Sequence, residues 1–254
     1  MSESETSGAL AGTAAIVTGS AKNIGRGIAL ALASEGVSVL INARTSVDEA
    51  EAVASEIRSS GGRALVHMAD VTQPDAADGM VAAAIEAFGR LDMLVNNIGV
   101  RRQTTLVETS DEDWRAVLNG CLDSMFFCCR AAVPHMKHND WGGIVNIGGV
   151  SGHSGVALRT HVATAKAGMA GFTTSLASEL APDNITVNCI VPGHIDTERP
   201  GALPKHFQDR EPPLGRPGTV EEIASTARFL LSPGGRYITG EVIHVNGGWY
   251  MTIA

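Results

Sequence analysis

Short apolar runs alternate with longer helical segments along almost the whole chain, and this alternation limits the fold more than any single motif does. Thr13–Thr18, Val37–Asn42, Ala64–Ala69, Leu91–Asn96, Gly143–Ile147, Thr186–Ile190 and Val242–Val245 read as strands. Their centres are almost continuously apolar, as expected of strands covered on both faces. Between them the pattern predicts helices over 24–35, 47–60, 74–88, 111–138, 159–181 and 219–232. Gly61-Gly62 ends one helix, and Pro74 opens another near its first turn. Regular β/α alternation implies a parallel sheet with right-handed crossovers. The predicted fold is α/β: a doubly wound parallel sheet between two helix layers, three layers in all, in a single domain over residues 12–254. Residues 1–11 read as a flexible N-terminal tail. From Pro192 to Pro217 prolines and charges break the rhythm, and residues 193–217 read as a lid over the site rather than a second domain.

The first predicted strand runs into Thr18-Gly19-Ser20-Ala21-Lys22-Asn23-Ile24-Gly25 and then into a helix. A strand, a glycine-containing turn and a helix N-terminus form the setting that a dinucleotide needs. Gly19 allows the sharp turn, and Gly25 allows backbone to approach a pyrophosphate at the helix N-terminus. Asn23 stands where glycine would be easiest, and asparagine tolerates left-handed backbone better than most residues. The second strand ends in Asn42-Ala43-Arg44-Thr45-Ser46, without the carboxylate that usually grips an NAD ribose. Arg44 could instead pair with a 2′-phosphate, with Lys22 as a second positive charge. NADP(H) is therefore favoured over NAD(H).

Taken together these segments resemble the short-chain dehydrogenase/reductase family, of the type that includes 3-oxoacyl-carrier-protein reductases, from Gly12 to Gly248. The marks are the TGSAKNIG loop, Asp70-Val71, Asn96-Asn97-Ile98-Gly99, Asn119, Lys166, Pro192-Gly193 with Thr197, and Tyr237-Ile238-Thr239-Gly240 followed by Val245-Asn246-Gly247-Gly248. The resemblance implies a Rossmann-type sheet. It implies that Gly19, Lys22, Asn23, Ile24 and Gly25 wrap the cofactor and that Asp70 and Val71 contact adenine. Asn96, Asn97 and Gly99 would pass under the adenosine ribose. Lys166 would hold the nicotinamide ribose, Asn119 a water in a proton relay, and Pro192, Gly193, Ile195 and Thr197 the carboxamide end. It further implies homo-oligomers, dimers or tetramers, paired through the helices 111–138 and 159–181.

The resemblance fails where the chemistry is done. Such enzymes move a proton through a serine and a tyrosine, and this chain has Gly149 and Val162 at those places. Neither side chain can give or take a proton. General acid catalysis is worth about 10²–10⁴-fold, or roughly 3–5 kcal/mol, so reduction of a simple ketone should be slow without a substitute. Ser151 lies two residues past Gly149 and shares its direction if that segment is extended. Arg159 lies three residues before Val162 and shares its face if the helix has begun, where it could bind a carboxylate or stabilise an oxyanion. His153 lies between them. Ser151, His153 and Arg159 are the candidate replacements, beside Lys166 and Asn119. His161 adjoins Val162 but points about 100° away on a helix. Arg101-Arg102 could guard the mouth of the site, and Tyr250 could fold back to a pocket.

The expected activity is an NADP(H)-dependent oxidoreductase of atypical site, reducing a small carbonyl, imine or enone. The alternatives are a non-redox enzyme and a non-catalytic cofactor-binding subunit on the same scaffold. The formal net charge of −8 argues against nucleic acid or an anionic membrane as partner, yet leaves room for a small anionic substrate in one basic pocket. No apolar stretch in the sequence reads as a bilayer span, and the polar, acidic start does not read as a signal peptide. Cys121, Cys128, Cys129 and Cys189 form no metal-ligand spacing and read as buried thiols. No metal is expected, and the expected compartment is the cytoplasm.

Overall fold

The computed structural model describes residues 8–198 and 211–251. Residues 1–7 of the predicted tail, and Pro200 and Pro204 of the predicted lid, lie outside the described residues. Strands β1 (Ala14–Val17), β2 (Ser38–Ala43), β3 (Ala64–Met68), β4 (Met93–Asn96), β5 (Gly142–Ile147), β6 (Ile185–Pro192) and β7 (Val242–Val245) form a seven-stranded sheet in the order β3-β2-β1-β4-β5-β6-β7. Every pairing is parallel. The order reverses between β1 and β4, and in such sheets the crevice at that switch point takes the ligand.

Helices α1 (Asn23–Ala33), α2 (Val47–Ser59), α3 (Pro74–Phe88), α4 (Asp111–Leu118), α5 (Ser124–Met136), α6 (Ser151–Ser154), α7 (Thr160–Leu180) and α8 (Val220–Leu230) cover both faces. The pleat divides the core. Val17, Ile41, Val95 and Val145 point into one layer, against Ile28, Val53, Ile57 and Ile223 of α1, α2 and α8. Their neighbours Ile16, Leu40, Leu94 and Ile144 point into the other, against Met80, Met125, Met136 and Met169 of α3, α5 and α7. The Rossmann-type, three-layer architecture therefore follows from strands that are apolar on both sides.

Several expectations need correction. The predicted tail is too long, because Leu10 is 2% exposed within the core layer of α1 and Gly8–Ala11 close a turn. The predicted helix 111–138 is two helices joined by a π turn over Asn119–Asp123. A close approach accompanies this wider turn: a Cβ on Gly120 would lie 2.4 Å from Val100 Cγ2. The run Asp111–Met136 is nevertheless long and apolar enough, by length and composition, to cross a bilayer. Its first turn is acidic, and Met125, Cys128, Cys129 and Ala132 bury its apolar side against the sheet, as a core helix does. Ser151–Ser154 form a helical turn, not the extended segment assumed for Ser151. Helix α7 starts at Thr160, so Arg159 is its N-cap rather than its first helical residue.

One buried carboxylate ties the N-terminal ends of the central strands. Asp92 accepts from the Ala14 N–H at 2.9 Å and from Arg90 Nε and an Arg90 terminal nitrogen at 2.8 and 2.6 Å. Asp92 is buried, while Arg90 keeps nearly half of its side chain in water. The carboxylate raises the Arg90 pKa. Replacing Asp92→Ala should leave the Ala14 N–H without a partner and cost about 2 kcal/mol. A thermal melt should show it as a fall of several degrees, with the fold's circular dichroism kept; an unchanged melting temperature would contradict this account.

Candidate active site

The turn after β1 is held by side-chain amides and hydroxyls from its neighbours. Asn42 Oδ1 accepts from the Gly19 N–H at 3.3 Å, and Asn42 Nδ2 donates to the carbonyls of His67 and Ala69 at 3.2 Å each. Asn97 Nδ2 donates to the carbonyls of Thr18 and Gly19 at 3.1 Å each, while its N–H donates to Thr18 Oγ1 at 2.9 Å. Gly25 packs directly on this turn: a Cβ there would stand 2.4 Å from the Gly19 oxygen and 2.5 Å from Asn97 Nδ2. Gly19 and Asn23 have φ of +60° and +50°, so asparagine does take the left-handed conformation. Asn23 Nδ2 also donates to the Glu198 carbonyl at 3.0 Å, joining the turn to the segment after β6.

The C-terminal ends of β1, β4, β5 and β6 open into a cavity of about 400 Å³. Of the sequence candidates it brings together Gly19, Lys22, Asn23, Ile24, Asn97, Gly99, Ser151, Arg159, Lys166, Pro192, Gly193, Ile195 and Thr197, with Gly149 and Val162 on the same wall. Gly25, Arg44, Asp70, Val71, Asn119 and His153 are not among its lining residues. Gly25 lies beneath the turn, as its contacts show.

Lys166 is buried at the cavity floor. Its Nζ donates to the Ile147 carbonyl at 2.8 Å and lies 3.5 Å from Met169 Sδ and from the place of a Gly99 Cβ. Burial pushes the Lys166 pKa down, and the Arg101 charge adds to that. A chain of side chains that sequence reasoning missed braces this floor. Asn96 Nδ2 donates to Asn146 Oδ1 at 2.8 Å, Asn146 Nδ2 to Thr173 Oγ1 at 3.0 Å, and Thr173 Oγ1 to the Met169 carbonyl at 2.8 Å. Buried asparagines in apolar strands were the available signal, since such amides need partners. At Gly149 a Cβ would sit 3.6 Å from Lys166 Cγ, an ordinary contact, so the glycine is not forced by crowding.

Asn119 opens the π turn and is not among the residues that line the cavity. The π turn changes the helical phase there, and Cys121 packs against Val162 and Ala165. The Cys121 Sγ accepts from the Val100 N–H at 3.2 Å. Of the two relay residues that the family resemblance implies, Lys166 lines the cavity and Asn119 is not among its described lining. The four cysteines are free and buried. Burial raises the pKa of Cys128, that of Cys129 to about 12 and that of Cys189 to about 11, so they sit as inert thiols. Among the described residues no cluster could hold a metal.

The basic residues picked for a 2′-phosphate stand together with acids. Lys22 Nζ is 2.6 Å from Glu49, and Arg44 is 3.7 Å from Asp70. The Lys22 hydrogen bond lowers the Glu49 pKa. At Asp70 burial acts to raise the pKa, but hydrogen bonds from Thr72 and the Arg44 charge outweigh it and hold the carboxyl below its ordinary value. Farther along, Glu222 closes a capping box with Thr219 on α8 and takes both Arg216 terminal nitrogens, at 3.0 and 2.7 Å, which brings its pKa to about 2. The described flanks of the predicted lid are anchored: Ile195 bridges to Gly218, and the Leu214 N–H donates to the Gly247 carbonyl at 3.1 Å.

The histidines lie behind the cavity rather than in it. His153 stacks edge-on to His244 with ring centres 4.8 Å apart, and Tyr250 closes the group at 5.7 and 5.1 Å. Tyr250 thus folds back onto histidines and not into the cavity. His161 is fully buried, and neither ring nitrogen has a hydrogen-bond partner among the described residues. Burial lowers the pKa of all three imidazoles. The charges of Arg102 and Arg159 add to the effect at His161, and His153 adds to it at His244. Arg102 itself is ion-paired with Asp113.

Comparison with known proteins agrees with this geometry. Residues 19–250 match the family described as enoyl-(acyl carrier protein) reductase. The chain is 39% identical over 240 residues to the 3-oxoacyl-(acyl-carrier-protein) reductase FabG of Staphylococcus aureus, an alignment covering 93% of this chain and 98% of that one. A dehydrogenase/reductase from Sinorhizobium meliloti superposes with a TM-score of 0.92 at 33% identity, covering 97% and 99% of the two chains. A short-chain dehydrogenase from Burkholderia cenocepacia, solved in complex with NADP, superposes with a TM-score of 0.89 at 34% identity, covering 94% and 98%.

The lowered imidazole pKa values fix the sign of an acid response. As pH falls through the ordinary histidine value of 6.5, the unfolded chain takes up protons at these sites while the folded chain does not. Stability contributed by neutral His153, His161 and His244 is present above that pH and is lost below it. The melting temperature should therefore fall between pH 7 and pH 5, and fall less in His161→Leu. Equal slopes for the two proteins would remove His161 from the account.

Proposed function

The chain belongs to the short-chain dehydrogenase/reductase family of oxidoreductases, and on that premise we propose that it is an NADP(H)-dependent oxidoreductase with an atypical active site. The observation that carries this reading is one cavity holding both a nucleotide turn and a wall without its proton donors. The turn fits a dinucleotide, since the place a Gly25 side chain would take is filled by the Gly19 oxygen and the Asn97 amide, so the backbone at the start of α1 stays bare. Lys22, Asn23 and Ile24 line the same cavity as Lys166. For the phosphorylated cofactor, Lys22 and Arg44 supply the positive charge. Their side chains are 49% and 68% exposed, so the pairs with Glu49 and Asp70 are screened by water and cost little to break. A phosphate dianion competes readily at that cost.

When bound, the cofactor supplies or accepts a hydride. Lys166 would hold the ribose at the reacting end, with its position fixed by the Ile147 carbonyl. Gly149 and Val162 flank it and transfer no proton. Ser151 is the hydroxyl on that wall, and Arg159 can stabilise developing negative charge. A substrate that needs no proton in the hydride step suits this wall best. An iminium ion is neutralised by hydride to give an amine, and a conjugated enone gives an enolate that water protonates later. A simple ketone gives an alkoxide with no phenol to meet it.

The test is to titrate NADPH by its fluorescence and then follow its oxidation with ketones, imines and enones. Binding is expected, with turnover of imines or enones above that of ketones. Binding without turnover on any class would assign the chain as a cofactor-binding subunit, and conversion without loss of the 340 nm band would assign a non-redox enzyme. In the variant Gly149→Ser with Val162→Tyr, ketone reduction should rise by about 10²-fold or more, the ordinary worth of general acid catalysis. An unchanged rate with intact NADPH affinity would show that these two positions are misread.

A further inference from the structure

The cavity is positive within a protein that is negative as a whole. Its described ionisable lining residues are Lys22, Arg101, Arg159 and Lys166, all basic, whereas the chain carries a formal net charge of −8. Lys22 lies at the nucleotide turn, and Lys166 is tied to Ile147. Arg101 follows the Asn97–Gly99 turn, and Arg159 stands on the wall with Ser151 and Val162. Arg159 is only 8% exposed, an uncommon position for a guanidinium. It caps the N-terminus of the 21-residue helix α7, whose dipole favours an anion at the same end.

The chain also spends backbone energy to put it there. Leu158 has φ of +65°, a conformation that costs a bulky residue roughly 1–3 kcal/mol. Its carbonyl is held by the Thr104 N–H at 2.9 Å, so the strained residue is pinned next to Arg159. The resulting positive field is felt at two neighbours: Arg159 acts on His161 and Arg101 on Lys166. A guanidinium offers five N–H donors in a planar fork that matches a carboxylate. Two such groups line one cavity that has no acidic residue among its described lining, and paired guanidinium forks are the side-chain chemistry that recognises an oxyanion.

We propose that the substrate carries a carboxylate beside the carbon that exchanges the hydride, and that Arg159 and Arg101 bind it. This rests on the oxidoreductase reading above and narrows its substrate class to small unsaturated, imino or oxo acids. The carboxylate fixes the substrate by its charged end, so that the carbon to be reduced is presented over Lys166. Arginine there also meets negative charge that grows on the substrate during reduction, which Gly149 and Val162 do not.

The experiment is calorimetric. The protein is first saturated with NADPH, which keeps the cofactor's own phosphates from being the anion that is read. The complex is then titrated with benzoate and oxamate and with their neutral amides, benzamide and oxamide. The carboxylates should bind about tenfold or more tightly than the amides, the worth of a charge-assisted fork. Arg159→Gln should erase the preference, and Arg101→Gln should reduce it severalfold, with NADPH affinity kept in both. Should Arg159→Gln fail to fold in a thermal melt, Arg159→Lys keeps the charge without the fork, and its weakened preference carries the test together with Arg101→Gln. Equal affinity for acids and amides, no binding of either acid, or a preference untouched in the variants would overturn the proposal. Failure of NADPH to bind would instead overturn the oxidoreductase reading, and the same titrations on the cofactor-free protein would still decide the anion site.

Discussion

The contact on which the site depends is the meeting of Gly25 with the Gly19 carbonyl and the Asn97 amide. No side chain fits between them, so helix α1 is driven against the turn and its first N–H groups are left bare toward the cavity. The amide of Asn97 cannot bond Thr18 and Gly19 unless β4 lies beside β1. Asn42 makes the matching demand from β2. The nucleotide turn and the order of the central strands are thus one arrangement, and neither can be formed without the other.

How much of this was legible in the sequence depends on how local its cause is. The strands and most helices were, because apolar continuity and turn residues are local properties; Pro74–Phe88 and Val242–Val245 fall where the pattern puts them. The left-handed Asn23 was legible for the same reason. The break inside 111–136 was not, since it depends on Gly120 meeting Val100 from a distant loop. Counting along a sequence assumes an unbroken α-helical phase, so the clustering of Cys121 with Val162 could not be read from it. Ser151 and Arg159 do line the cavity, although not for the reasons their spacing suggested: one starts a helical turn and the other precedes a helix. Asparagines in apolar strands signalled that the brace from Asn96 through Asn146 and Thr173 needs partners, but which partners they are is settled only in the folded state.

On the proposed reading, one scaffold keeps its binding half while its reacting half is altered. Lys166 is fixed by backbone and sulfur rather than by a catalytic hydroxyl, so its position survives without one. The wall beside it has open contact distances at Gly149, and its acid-base function has no obvious single heir. Arg159 lines the same cavity as Gly149 and Val162, and a fixed charge stabilises an anion without being consumed in each turnover.

The π turn at Asn119–Asp123 gives the rod formed by α4 and α5 two angular phases. Downstream, Met125 and Cys129 are keyed into the sheet; upstream, Val117 clusters with Val162, as does Cys121 within the turn itself. The wide turn works as a universal joint between them. Rotating the upper segment alone would change only what backs Val162, while the foundation of the domain keeps its packing.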